Sequence, residues 1–342
     1  MPVGIPTTVL VAPDSFKGTL SAREVAAAIG KGLDAAGVPV DLCPVADGGE
    51  GTLEALVPAL GAEPRSVQVS DPLGRPVNAR YGFVPAPRRR QPAVAIVEMA
   101  AASGLSLVKP SERDPIAASS AGTGELIAAA IGEGAELVLI GVGGSATTDG
   151  GAGAIEAIRA GGGLRGARLR VLCDVRTPFE DAARVFAPQK GADEDQVRRL
   201  GRRLGALARR LDRDPRGVPF TGAGGGIAGG LWAAFGADLA AGAAAILDEL
   251  GFDPRMRAAR AVIAGEGRLD QQSLAGKAVS EVATRARQAG VPCYAIAGED
   301  ELDAFGCRIL DLQGVQCAGT PTELRRAGTR LGKRLLAPGA ER

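Results

Sequence analysis

At 342 residues, with 46% hydrophobic and 23% charged side chains, the chain can form two ordinary globular domains, or one large α/β unit, around a sizeable core. Forty basic residues against 39 acidic ones leave a net charge of +1, which excludes a whole-protein field that would draw in nucleic acid or an anionic membrane. Histidine is absent, which removes Ser-His-Asp and Cys-His catalysis and every His-ligated zinc or iron site. The chemistry must run on carboxylates, Lys, Arg, hydroxyls, thiols, backbone amides or hard metal ions.

The first residues carry no basic segment ahead of an apolar run, so no signal peptide is expected. From there, short β-rich runs alternate with Ala-rich helical stretches, the pattern of α/β architecture. A strand is predicted at Thr8–Ala12, then a helix over Ser21–Leu33, capped by Ser21, with Val25, Ile29 and Leu33 recurring every fourth residue. Strands follow at Val40–Val45 and Ala93–Glu98, and PAPRRRQP (85–92) between them reads as a loop with solvated arginines. Glu98 interrupts the best apolar run, Ala93–Val108, so no membrane span is expected. A helix over Gly124–Ile131, capped by Thr123, precedes strands at Glu136–Val142 and Arg170–Asp174. Asp193–Asp214 reads as an amphipathic helix with Val197, Leu200, Leu204, Leu207 and Leu211 on one stripe. Its arginines (Arg198, Arg199, Arg202, Arg203, Arg209, Arg210, Arg213) invite a nucleic-acid reading, but a neutral, aromatic-poor chain favours a solvated face. Strands at Ala261–Ala264 and Cys293–Ala297 complete the set; several runs are continuously apolar, as strands covered on both faces should be. The five cysteines (Cys43, Cys173, Cys293, Cys307, Cys317) form no C-x-x-C pair, so free thiols in a reducing cytoplasm are expected.

The glycines cluster after strands. In the sharpest cluster, Gly143-Gly-Ser-Ala-Thr-Thr-Asp149-Gly-Gly-Ala-Gly153 runs from strand into helix. Glycines there could serve a tight turn, or bring backbone N–H groups and a helix N-terminus to an anion. Five glycines with Ser145, Thr147 and Thr148 exceed what a turn needs. Anion binding is therefore expected at Gly143, Gly144, Ser145, Thr147, Gly150 and Gly151. The P-loop is absent; its nearest approach, Ala275-Gly276-Lys277-Ala278, lacks the first glycine and the hydroxyl. A formal G-x-G-x-x-G at Gly224–Gly229 follows only Val218–Phe220, too short and proline-broken for the strand of a dinucleotide fold.

Three further stretches join acid, base and glycine at strand ends: Asp14-Ser-Phe-Lys17-Gly, read as opening the first helix; Asp47-Gly-Gly-Glu50-Gly; and Gly265-Glu266-Gly-Arg268-Leu-Asp270, read as leaving a strand, with Lys277 beyond. Ligands of open α/β sheets sit outside the carboxyl ends of strands. With Asp174 and Lys190 these residues supply the parts of phosphoryl transfer: carboxylates for Mg²⁺ and a base, lysines for phosphate charge, amide cradles. Asp14, Lys17, Asp47, Glu50, Lys190, Glu266 and Arg268 are the candidate catalytic residues, Lys277 a nucleotide contact, and Asp149 and Asp174 the magnesium ligands, each standing where a strand hands over to a loop. Without histidine the base must be a carboxylate, with Asp47 or Glu50 expected; ordinary carboxylates predict a pH profile flat from about 6.5 to 8.5. On residues alone, a non-catalytic sensor of a phosphorylated metabolite and a carboxylate-pair hydrolase stay open.

PDSFKGTLSA (13–22), PVADGGEGT (44–52), GVGGSATTDGGAG (141–153), LCDV (172–175), PQKGA (188–192) and GEGRLDQQS (265–273) resemble, in order, the motifs of the bacterial glycerate kinases of the first type. The resemblance spans residues 9 to about 300. It implies ATP-dependent phosphorylation of D-glycerate with Mg²⁺, 2-phosphoglycerate being favoured over 3-phosphoglycerate as product. It also implies two α/β domains, one Rossmann- or flavodoxin-like, with the active site in the cleft between them. Shared loop chemistry assigns residues 1–70 plus 256–342 to the Rossmann-like domain and 71–255 to an inserted α/β domain carrying the glycine loop. A cytoplasmic monomer or homodimer without nucleic-acid or membrane partners is expected. Two departures are visible: Arg176-Thr177-Pro178-Phe179 and a shortened loop to Phe186 stand where the family continues with Asn-Pro and a glycine-bearing loop. If that loop touches substrate, another small hydroxy acid is preferred.

Overall fold

The computed structural model describes residues 7–86, 92–274 and 277–337. Most of the arginine-bearing loop at 85–92 and the first half of Ala275–Ala278 therefore lie outside the described residues. The strands are β1 (Val9–Pro13), β2 (Val40–Leu42), β3 (Glu63–Ser70), β4 (Pro76–Val84), β5 (Val94–Glu98), β6 (Leu137–Gly141), β7 (Arg168–Cys173), β8 (Asp238–Ala241), β9 (Ala261–Leu269), β10 (Cys293–Asp300) and β11 (Leu312–Cys317). They form two sheets, one in each of two bodies: Met1–Asp47 with Ile246–Arg342, and Gly48–Ala245.

In the first body all strands are parallel, in the order β11-β10-β9-β1-β2. Counted within the body this is the 2-1-3-4-5 order of flavodoxin-like sheets, whose switch point falls between its first and third strands, here β1 and β9. Val9, Val11, Ile263 and Ile296 bury one face of the sheet against the helix Ala22–Asp34 and the C-terminal helix Pro321–Leu336. Ser21 caps the former in a reciprocal box with Glu24, and Thr320 caps the latter with Glu323. The two helices touch backbone to backbone. A β-carbon on Gly32 would stand 2.1 Å from the Arg325 carbonyl oxygen, and one on Gly328 2.4 Å from that of Ile29. Only glycine permits that approach.

The second body carries a six-stranded sheet, β3-β4-β5-β6-β7-β8, antiparallel from β3 to β5 and parallel thereafter. The strand predictions omit the β3–β4 hairpin, as well as β8 and, in the first body, β11. The hairpin turn is set by Asp71, whose carboxylate accepts from the Leu73 and Arg75 backbone N–H groups at 2.8 and 2.9 Å. Val69, Ala79, Tyr81 and Phe83 of the hairpin join the core of this sheet, so the bodies divide after Asp47 and not after residue 70. The return to the first body comes at Ile246, ahead of residue 256. Arg255 there binds the Asp41 carboxylate at 2.6 and 2.9 Å and the Leu42 carbonyl at 2.8 Å.

Three helix boundaries differ from expectation. The predicted helix at 124–131 runs Ala121–Glu133, and Thr123, instead of capping it, is buried inside it and donates to Ser103 Oγ at 2.7 Å. The arginine-rich helix ends at Ala208, not at 214; it begins with a box between Asp193 and Gln196, buries Leu200 and Leu204, and turns its arginines outward. The third is the entry to the first helix: it begins at Ala22 behind its predicted cap Ser21, so the Asp14–Gly18 segment does not open it. Of the cysteines, Cys43, Cys173 and Cys293 are buried and all five are unpaired. Among the described residues no helix is long and apolar enough to cross a membrane.

Candidate active site

β1 pairs with β9 only as far as Pro13 and Gly265; the Asp14 amide still donates to the Gly265 carbonyl at 2.8 Å, and the chain then turns away. β9 continues four residues further beside β10, with Arg268 opposite Glu299. Glu266 and Arg268 are thus strand residues, two apart on one face, where a loop was predicted. The parting of β1 from β9 leaves a pocket of about 420 Å³ at the switch point. Asp14, Lys17, Asp47, Glu266, Arg268 and Lys277 all line it. Six of the residues singled out in four separate sequence stretches therefore meet on one body.

Asp14, Asp47 and Glu266 are buried, with exposures of 5%, 4% and 7%. Lys17 reaches Asp47 at 3.2 Å, Lys277 reaches Glu266 at 3.5 Å, and Arg268 binds Glu299 at 2.6 and 2.8 Å. Burial, with the Asp47 carboxylate second, pushes the Asp14 carboxyl up to about 7. Burial raises Glu266 as well, against a hydrogen bond from the Ser273 side chain and then the pull of Lys277, and its Oε1 is buried with no partner in good hydrogen-bond geometry. Lys17 stands in a tight turn closed by Phe16 and Leu20, which exchange backbone hydrogen bonds at 2.8 and 3.1 Å, so no helix dipole acts on it. Glu299, Ser15 and Thr19 also line the pocket. Of these, Glu299 was legible: it is the acid two residues beyond the predicted strand Cys293–Ala297.

The glycine-rich loop of the second body is occupied by the protein itself. The Ala146 amide donates to Ser103 O at 2.9 Å and Gly150 to Gly225 O at 3.1 Å. Asp149 Oδ1 accepts from the Gly151 amide (3.0 Å), and its Oδ2 from the Gly153 amide (3.2 Å) and both donors of Ser120 (2.9 and 2.8 Å). The carboxylate thus fills the N-terminus of the helix Ala152–Ala160, where an anion was expected. In this structure Asp149 anchors the helix, the Gly151 amide donates to it, and the Gly150 amide is taken by Gly225. The other side of the loop holds Lys190, buried, donating to Ser145 Oγ at 2.9 Å and to Thr147 O at 2.5 Å. Burial pushes its ammonium down to about 7, opposed by Asp149 and Asp174, which act there as counter-charges. Thr147 Oγ1 and Thr148 Oγ1 are buried without partners. Gly143 and Gly144 are consumed by close packing: a β-carbon on Gly143 would lie 2.4 Å from Gly49 Cα, and the Gly144 carbonyl accepts from Leu105 at 2.8 Å.

Glu50 is exposed on the turn that opens the second body and lines no described pocket, so of the pair Asp47 and Glu50 only Asp47 belongs to the charged cluster. Glu98, read in the sequence only as an apolar-run breaker, takes the Leu53 amide at 2.6 Å and so holds the start of the helix Thr52–Leu60. The departing segment after Asp174 is a packed element: Phe179 is fully buried with Ala182, Ala183, Leu200 and Leu204. The formal G-x-G-x-x-G is a buried turn with positive φ at Gly224, Gly225 and Gly226; a β-carbon on Gly225 would meet Thr147 O at 1.9 Å.

Comparison with known proteins agrees with this architecture. The profile described as the glycerate kinase family matches residues 9–163 and 159–327. A protein named glycerate 2-kinase from Escherichia coli K12 is 40% identical over 330 residues, covering 85% of this chain and 84% of its own. A glycerate kinase from Bacillus subtilis 168 is 39% identical over 333 residues, with 86% of each chain covered. The crystal structure of a Salmonella typhimurium LT2 protein assigned to glycerate kinase 2 superposes with a TM-score of 0.80 at 36% identity, covering 96% of this chain and 98% of its own. With matches spanning nearly the whole length and both sheets, the chain belongs to the glycerate kinase family of phosphotransferases.

Proposed function

We propose that the chain transfers the terminal phosphoryl group of ATP to D-glycerate, favouring the 2-hydroxyl and hence 2-phosphoglycerate. The observation that carries this is the switch-point pocket, where a carboxyl poised near neutrality stands among two lysines and an arginine. Asp14 accepts the proton of the attacking hydroxyl; a pKa close to working pH suits a general base, and loose phosphoryl transfer asks little of it. Lys17, Lys277 and Arg268 hold the glycerate carboxylate and the phosphate chain, while Asp47 orients Lys17 and Glu299 orients Arg268. Preference for the 2-hydroxyl is supported by the name of the Escherichia coli relative.

The residues present fit a magnesium ion. Glu266 offers a buried oxygen with no partner in good hydrogen-bond geometry, and oxygen is the donor this hard ion takes. Among the described residues no group of three or more His, Cys, Asp or Glu side chains is set to hold a metal. That suits an ion held by one or two carboxylates together with substrate phosphates. Glu266 would hold it; when bound, magnesium supplies neutralisation of charge on the transferring group.

ADP release with and without D-glycerate tests the reaction, and the product's phosphorus spectrum tests its position. A phosphate on carbon 2 couples to one proton and on carbon 3 to two. Turnover should require both substrates and give a doublet. Nucleotide binding without turnover, or a larger kcat/KM for another small hydroxy acid, would overturn the assignment.

A further inference from the structure

We propose that the second body carries a separate binding site for an organic phosphate with a flat body, along its edge strand β8. A cavity of about 480 Å³ opens there, sharing no lining residue with the pocket of the first body. Its walls include Val218, Pro219, Leu239, the Asp238 carboxylate and two aromatic rings, each covered by a guanidinium: Arg213 lies 3.8 Å from the centre of the Trp232 ring, and Arg176 lies 5.2 Å from that of Phe220.

What sets these two arginines apart is their stacking on the cavity's aromatic rings. Arg198 and Arg216 pair with acids on their own segment, and Arg203 donates to the Ile116 carbonyl. Among the described residues Arg176 and Arg213 form no ion pair, although acids are at hand. Asp214, next to Arg213, is taken by Arg216 at 2.6 Å, and Asp238 on the cavity wall faces Arg170 at 4.0 Å. Stacking satisfies the face of a guanidinium and leaves its edge of N–H donors for an anion, a geometry that suits the oxygens of a phosphate. The Phe220 ring is brought to Arg176 at a conformational cost. Phe220 has φ +73°, the left-handed region, which a bulky residue rarely adopts. Its amide bonds the Arg176 carbonyl at 3.2 Å, and its own carbonyl accepts from Ala223 at 2.9 Å, which hold it there. Such strain persists where the surroundings impose it, commonly at ligand sites. The cavity is far larger than inorganic phosphate and lies in the range of small-molecule pockets. Its two aromatic rings, set in a lining that also carries Arg176, Arg213 and Asp238, suit a planar body on the ligand.

Trp232 is the sole tryptophan, and its emission reports on this cavity directly. The full-length protein is titrated at constant ionic strength, without ATP, with adenosine monophosphate, adenosine, phosphoglycerate and inorganic phosphate. Adenosine monophosphate should change the emission saturably, with a Kd below about 1 mM, and the other three should bind at least about ten-fold more weakly. Arg213→Gln and Arg176→Gln should each weaken the nucleotide about ten-fold or more, with kcat and the KM for ATP within about two-fold of wild type. Both side chains are exposed, so the variants fold. Three results would overturn the proposal: no saturable change with either organic phosphate, a change that survives in the double variant, or phosphoglycerate binding as tightly as the nucleotide.

Discussion

Replacing Asp14 by Asn separates its chemistry from its cost. The carboxyl is buried and stands beside Asp47, and it titrates near 7 instead of its ordinary 3.8. As the base it must be ionised. At saturating Mg-ATP, kcat/KM for glycerate should therefore climb about tenfold per pH unit below 7 and level off above it. This is a steeper acid limb than the flat profile that an ordinary carboxylate at Asp47 or Glu50 predicts. Asp14→Asn should lower kcat by about 10²- to 10⁴-fold, the usual contribution of a positioned base. Stability should move the other way. A folded-state pKa raised above the unfolded value means that ionising Asp14 destabilises the fold. The penalty is absent below pH 3.8, grows between 3.8 and about 7, and is constant above. The difference of about 3 units corresponds to an upper limit of about 4 kcal/mol. The Asn variant should thus melt several degrees above wild type at pH 8, and the gap should close towards pH 4. Calorimetry across that range, with the pH–rate profile, measures both halves. A limb near pH 7 that persists in Asp14→Asn, or a variant melting below wild type at pH 8, would refute the reasoning.

Lys17 is 64% exposed at its side chain, so its ion pair with Asp47 adds little stability. Lys17→Met should cut kcat/KM at least tenfold while the melting temperature stays within about 2 °C; a loss of stability with activity kept would mark a structural pair instead. Asp149→Asn loses the charge that takes two helix amides and both Ser120 donors, so it should destabilise by about 1–3 kcal/mol, with the Mg²⁺ dependence of turnover unchanged. A raised Mg²⁺ requirement in that variant would restore Asp149 as a ligand. Glu266→Gln should raise the Mg²⁺ concentration for half-maximal rate about tenfold or more at constant ATP, and an unchanged requirement would remove Glu266 from the metal site.

The sequence by itself determined whatever rests on local terms. Continuous apolar runs such as Val9–Ala12 and Val138–Ile140 marked strands covered on both faces, and Ser21 with Glu24 marked a helix start, because periodicity and capping act within a few residues. The rule that ligands lie beyond strand ends was enough to single out Asp14, Lys17, Asp47, Glu266, Arg268 and Lys277, six residues of one pocket. Tertiary structure decided the rest, since those questions turn on partners distant in the chain. Gly265–Leu269 reads as a loop until β10 is laid beside it and pairs Glu299 with Arg268. That Asp149 anchors a helix start cannot be read locally, because Ser120, 29 residues earlier, donates to it twice. On paper Asp14 is one carboxylate among several. Burial is what moves Asp14 to about 7, and burial is a property of the packed chain: no local pattern records how much water a side chain will lose.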